Sequence, residues 1–183
     1  MNEKVEERAV EIVAHLMTLS ARTAPKARGM DNLVIRVVKQ EDLSLLAHEM
    51  RRIGEAQERG FFLRDAGTLQ VSDACVLIGL KKEPTAGLDC GACGFPTCQE
   101  MLCYEHIGIE QMEMKGPCCA IRVIDLGIAV GSAVKTAALH SVDNRVQFSV
   151  GLAALRLEWM KGCVICIGIP LKASGKNIYF DRS

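Results

Sequence analysis

The sequence predicts an α+β protein, with helices packed on a central β-sheet and a separate binding segment inserted into it. Three observations predict this. Four segments repeat apolar residues at helical spacing; three short apolar segments lie among them; and a glycine- and cysteine-bearing stretch, residues 83–119, fits neither pattern.

Val5, Ala9, Ile12, Leu16 and Leu19 recur at helical spacing, which predicts a helix over 3–20. A basic loop follows, carrying Arg22, Pro25, Lys26, Arg28 and Gly29. Residues 33–38 are rich in β-branched side chains and read as a strand. Residues 42–57 form a second helix with Leu43, Leu46, Ala47, Met50 and Ile53 on one face. Residues 74–80 are short and apolar between Asp73 and Lys81-Lys82, which suits a strand buried on both faces. Residues 120–139 are apolar almost all round, so this helix is expected at the centre of the molecule, with Gly127 and Gly131 admitting a close neighbour. A shorter helix is expected over 149–160 and a third strand over 162–167, stopped by Pro170. A polar tail, 172–183, ends near Tyr179 and Phe180. No repeat or low-complexity linker divides the chain, so a single domain over 1–183 is expected.

Composition excludes several functions. The 22 basic residues are balanced by 22 acidic ones, so nothing marks a nucleic-acid surface. Aromatic residues make up 4%, too few for a base-stacking platform. The first residues are charged and no apolar core follows them, so no signal peptide is expected. The most apolar stretch, 120–139, carries Arg122, Asp125 and Lys135, which argues against a membrane span. A cytoplasmic location is the expectation.

Nine cysteines are many for such a chain, and most crowd between Cys90 and Cys119. Clustered thiols in a reducing compartment point to metal rather than disulfides. Cys90, Cys93 and Cys98 stand in a C-x2-C-x4-C spacing. Soft thiolates at this density suit zinc or an iron–sulfur cluster. A cluster is wider than one ion, and its ligands must wrap around it with the backbone close in. Gly91 and Gly94 supply that freedom. A fourth ligand must come from Cys103, Cys118 or Cys119. Structural zinc is the competing reading, but it usually takes two C-x2-C knuckles and only one is present here. Cys75, Cys163 and Cys166 read as small buried hydrophobes. Cys163 and Cys166 form a C-x-x-C, but on a strand their sulfurs are expected to point apart.

The run Asp89-Cys90-Gly91-Ala92-Cys93-Gly94-Phe95-Pro96-Thr97-Cys98 resembles the four-iron, four-sulfur domain of corrinoid iron–sulfur proteins and electron-transport complex subunits. The chain as a whole is identified as similar to the DUF2148 ferredoxin-domain-containing proteins. That resemblance is carried by residues 21–29, the cysteine loop, Gly116-Pro117-x-Cys119, residues 125–133, Val142-Asp143-Asn144-Arg145 and residues 175–182. It implies a [4Fe–4S] cluster with Cys119 as the fourth ligand. A weaker similarity links Ala24-Pro25, Asp125-x-Gly-Ile-Ala and Ile167-Gly168-Ile169-Pro170 to flavin-dependent nitroreductases. It implies a nitroreductase-like fold, a homodimer, flavin mononucleotide (FMN) at the dimer interface, and an exchanged C-terminal arm at Tyr179-Phe180. The early Arg-x-Ser-x-Arg stretch that grips the flavin phosphate in those enzymes is not found here. Arg22, Lys26, Arg28 and Lys176 are candidate substitutes, with a solvated basic loop and tail as the plain alternative. Asn144 and Arg145 are further cofactor-binding candidates, whereas His140 reads as the end of a helix.

Phe61, Phe62, Arg64 and Asp65 form a compact group that suits either an edge packed on the core or a lid. Met112 and Met114, near the cysteines, read as gap-fillers that would keep water from a metal. The expectation is therefore an iron–sulfur redox protein, either a reductase of unknown substrate or an electron carrier with a partner protein. A zinc-stabilised interaction module is the rival.

Overall fold

The structure is a computed structural model that describes residues 5–104, 107–108 and 114–180. Helix α1 (Val5–Thr23) leads through a 3-10 turn at Ala27–Gly29 to strand β1 (Leu33–Lys39). Helices α2 (Gln40–Ala56) and α3 (Gly60–Gln70) follow, then strand β2 (Ala74–Lys81). The inserted region carries helix α4 (Cys98–Cys103) and two short strands, β3 (Ile107–Gly108) and β4 (Lys115–Gly116), which pair with each other. Helix α5 (Ala120–Leu139), strand β5 (Asp143–Asn144), helix α6 (Phe148–Arg156) and strand β6 (Cys163–Lys172) complete the chain.

The main sheet has the order β1-β2-β6-β5, and every pairing in it is antiparallel. Strand β2 is central, and each residue from Ala74 to Leu80 is buried. Its alternation sorts two cores. Val76, Ile78 and Leu80 face α1 and α5, together with Ile169 and Leu171 of β6. Cys75 and Leu77 face α2, α3 and α6. The result is three layers, with helices on both faces of an antiparallel sheet.

The stripe that predicts α1 is not the one that packs. Val10, Val13, Ala14, Met17 and Ala21 are buried, while Val5, Ile12, Leu16 and Leu19 are exposed. The helix is apolar on two faces, and one chain covers only one. Helix α5 departs from expectation in the same way. Leu126, Ala129, Ala133 and Ala137 meet the sheet, but Ile124 is 56% exposed and Ile128 is 39% exposed. Among the described residues, no other element comes within 4 Å of where a Cβ on Gly127 or Gly131 would stand, so the expected close neighbour is not found there.

Helix α3 was not expected. Gly60 and Gly67 depress its helical propensity and no side chain caps its start. It forms because Phe62, Ala66 and Leu69 bury a single face against α2 and α6. Phe62 is therefore core, and the lid alternative is set aside. Strand β6 also runs through Pro170. Both the N–H and the C=O of Gly168 bond to Gln147 on the β5 side. Two residues on, the Pro170 nitrogen points to that same side, between the Gln147 bridge and the short β5 ladder, so no ladder bond is lost.

The two thiols of Cys163 and Cys166 do not point apart. A register shift between Leu80 and Lys81 places Cys163 opposite Lys81 and Cys166 opposite Gly79. The extra residue flips Cys163, so both cysteines pack on the α2/α3/α6 face. The tail also differs from the expected exchanged arm. Tyr179 is 2% exposed against its own chain. Its hydroxyl shares a 2.8 Å hydrogen bond with Ser72 Oγ, and its carbonyl accepts from Arg145 at 2.7 Å. Among the described residues, no helix is long and apolar enough to cross a membrane.

Candidate metal centre

The cysteine loop occupies a stretch without regular structure, from the end of β2 to α4. Its turns depend on residues that tolerate positive φ: Asp89 at 44°, Gly91 at 70° and Gly94 at 87°. Gly94 N–H closes a tight turn on Gly91 C=O at 2.9 Å. The Asp89 carboxylate accepts the Cys98 N–H at 2.6 Å, which ties the start of the loop to its end. Thr97 then caps α4 by accepting the Glu100 N–H at 3.2 Å.

Helix α5 brings in the remaining thiol. Cys119 is its N-cap residue and is 7% exposed. Cys90, Cys93, Cys98 and Cys119 all line one pocket, with Ala86, Phe95 and Met101 among its apolar walls. The thiols stand close around it, and the cavity between them is small, about 10 Å³. Cys90 is exposed, Cys93 and Cys98 are half-buried and Cys119 is buried. The other two nearby cysteines are not among the lining residues. The Cys118 thiol donates to Lys115 C=O at 3.1 Å, and Cys103 accepts from Gln99 at 3.2 Å. Among the described residues, no three His, Cys, Asp or Glu side chains gather as they would around a single ion. Met112 lies outside the described residues, and Met114 is half-buried.

The six basic and polar residues implicated in flavin binding fall into two groups. Arg22 pairs with Asp31 and donates to Leu33 C=O. Lys26 is folded onto the end of α1, where its Nζ donates to the carbonyls of Ala21, Arg22 and Ala24 at 2.7–3.1 Å. Arg28 reaches the carbonyls of Ala86 and Gly87. These three lie near the start of α5, where Asp125 accepts the Ala27 N–H at 2.9 Å. Asn144 and Arg145 follow the other end of α5, about 20 Å beyond Asp125 at 1.5 Å per residue. Asn144 donates to Val142 C=O and Arg145 to Tyr179 C=O. Lys176 lies in the tail beside them. Within one chain, the two groups do not converge on one phosphate. His140 is exposed and ends α5 through its backbone N–H, as its plain reading has it.

Arg122 is the residue whose importance the sequence does not announce. It is 1% exposed and ion-paired with Asp125 at 2.9 Å. Its guanidinium donates to Pro84 and Thr85 C=O at 3.2 Å, to Ala27 C=O at 3.1 Å and to Met30 C=O at 3.2 Å. The only sequence signal is a lone opposite-charge pair at i, i+3 inside an apolar run.

Residues 115–182 match the family model described as an uncharacterized protein containing a ferredoxin domain, DUF2148. The matched span includes Cys119 and stops short of the three-cysteine loop. An uncharacterized protein of Archaeoglobus fulgidus is 41% identical over 184 residues, covering 100% of this chain and 97% of its own. The chain belongs to the DUF2148 family.

The fold of this DUF2148 protein is that of the nitroreductases. A nitroreductase with bound FMN from Desulfitobacterium hafniense superposes with a TM-score of 0.57 at 13% identity, covering 96% of this chain and 82% of the other. A nitroreductase-family structure in complex with FMN from Desulfovibrio desulfuricans gives 0.55 at 14% identity, covering 100% and 83%. Against NfrA1 of Bacillus megaterium the TM-score is 0.56 at 13% identity, over 94% of this chain. The DUF2148 chain spans only 61% of that protein's length.

Proposed function

We propose that this chain holds one [4Fe–4S] cluster on Cys90, Cys93, Cys98 and Cys119 and works in electron transfer. The cluster segment, 83–119, is inserted into a single nitroreductase-like domain. One observation carries the reading: of the six cysteines between 90 and 119, the four with the expected ligand pattern share one pocket, and Cys103 and Cys118 are turned to other partners.

The residues fit such a group. Four soft thiols are the donor set it requires. The positive-φ turns at Gly91 and Gly94 shape the loop that carries three of these thiols. Cys119 stands at the N-terminus of a 20-residue helix, whose dipole favours an anionic thiolate set. Ala86, Phe95 and Met101 keep water from one side, and exposed Cys90 leaves the other open to a redox partner. When bound, the cluster supplies single-electron chemistry. The ferredoxin-domain family and the nitroreductase fold both agree with redox work.

The same reading places a second copy of the chain over the exposed stripes Ile12, Leu16 and Leu19 of α1 and Ile124 and Ile128 of α5. Flavin enters only through the fold, since the six residues expected to grip it stand in two groups. Free thiols throughout agree with a cytoplasmic setting.

Anaerobic purification with iron, sulfide, zinc and flavin measured together tests this. About four iron and four sulfide per chain are expected. Zinc without sulfide would select the structural module instead. FMN bound beside iron would favour a reductase, and iron and sulfide alone a carrier.

A further inference from the structure

We infer that Arg122 and Arg28 are positioning residues for the cluster, holding the lead-in to the cysteine loop against the helix that carries Cys119. This rests on the cluster reading above. Residues 82–97 form no helix or strand, so no ladder holds them. Yet four consecutive carbonyls in this stretch find side-chain donors. Arg122 Nε donates to Pro84 C=O and its Nη2 to Thr85 C=O, both at 3.2 Å. Arg28 Nη1 donates to Ala86 C=O at 3.3 Å and to Gly87 C=O at 3.4 Å. Loop backbone is ordinarily left to water, and here two guanidinium groups take it in sequence.

The geometry gives the grip a purpose. Arg122 lies one turn after Cys119 on α5, so one rigid helix bears both the fourth thiol and the clamp. Ala86, the third clamped residue, itself lines the thiol pocket. Cys90 comes three residues after Gly87. Asp125 fixes the clamp in turn: its Oδ2 holds Arg122 at 2.9 Å and its Oδ1 accepts the Ala27 N–H. Arg28 adopts φ 58°, which is unusual for a side chain of its size and aims it at the loop. Gly87, at φ 63°, leaves the space it needs; a Cβ there would stand 3.1 Å from Arg28 Nη1. The four ligands come from two places in the chain, and these two arginines fix the distance between them.

The test uses the full chain, purified without oxygen, in parent, Arg28→Met and Arg122→Lys forms. Readouts are iron and sulfide per chain, the rate of iron release to a chelator, and the melting temperature of the metal-free protein. Arg28→Met changes an exposed residue, so the metal-free melting point should stay within about 2 °C. Its iron release should be about five- to thirty-fold faster. Arg122→Lys keeps the charge but loses the fork and should load poorly. If Arg122→Lys fails to fold, Arg28→Met decides. Parental release rates in folded variants would overturn the clamp while leaving the cluster reading intact. Faster release matched by an equal loss of metal-free stability would also overturn it, because the residues would then serve only the fold. A parent that loads no iron would refute the cluster reading and the clamp with it.

Discussion

Asp125→Ala is the sharpest probe of the α5 start. The carboxylate is 2% exposed and is the acid paired with Arg122, itself 1% exposed. Removing it leaves a buried guanidinium without its counter-charge and the Ala27 N–H without an acceptor. Breaking a buried pair in this way typically costs about 3–5 kcal/mol. The carbonyls of Ala27, Met30, Pro84 and Thr85 still solvate Arg122, which points to the lower end, about 3 kcal/mol. For a chain of this length, that corresponds to a melting-point fall of roughly 6–12 °C. Thermal unfolding of the metal-free variant, followed by circular dichroism, measures it. A fall below about 2 °C would mean that the pair contributes no more than a surface contact, and the account of α5 would be wrong.

Cys119→Ser should lose the cluster while Cys118→Ser keeps it, read as iron and sulfide per chain; equal loading of the two would overturn the ligand assignment. Burial pushes the Cys163 thiol up to about 11, with Lys81 pulling weakly the other way. Its alkylation at about pH 7 should therefore be far slower than that of a free cysteine and should climb about tenfold per pH unit until near that value; a rate near that of free cysteine at neutral pH would contradict the burial. Asp31 is held below its ordinary 3.8: burial works against the shift and is outweighed by the Arg22 hydrogen bond and charge, the Leu33 N–H and the Lys26 charge. A depressed carboxyl contributes stability above 3.8 and loses it as pH falls through the lower folded value. The melting-point gap between parent and Asp31→Asn should thus shrink on going from about pH 6 to about pH 3, and a gap constant over that range would refute the assignment.

Much of the architecture was legible because burial and periodicity are local signals. Leu43, Leu46, Ala47, Met50 and Ile53 repeat cleanly, and all five are buried in α2. The continuous apolar run at 74–80 marks a strand covered on both faces, as β2 is. Helix α3 escaped because its glycines hide a face that only α2 and α6 make worth burying. The stripes on α1 and α5 misled for a related reason. Apolar spacing reports that a face is to be covered, but not whether the cover is the same chain.

The sequence by itself determined the thiol loop, its glycine turns and the family, because ligand chemistry and turn geometry are written in residue type and spacing. Residue type alone does not separate Cys103, Cys118 and Cys119; the family resemblance points to Cys119. The tertiary structure adds where each thiol stands: Cys119 lies at the head of α5 in the pocket of the loop cysteines, and the other two contact Gln99 and Lys115. It also decided the fate of the basic residues. A guanidinium in a sequence can serve a phosphate, a carboxylate or a carbonyl, and the choice depends on which acceptors the folded backbone leaves unpaired beside it.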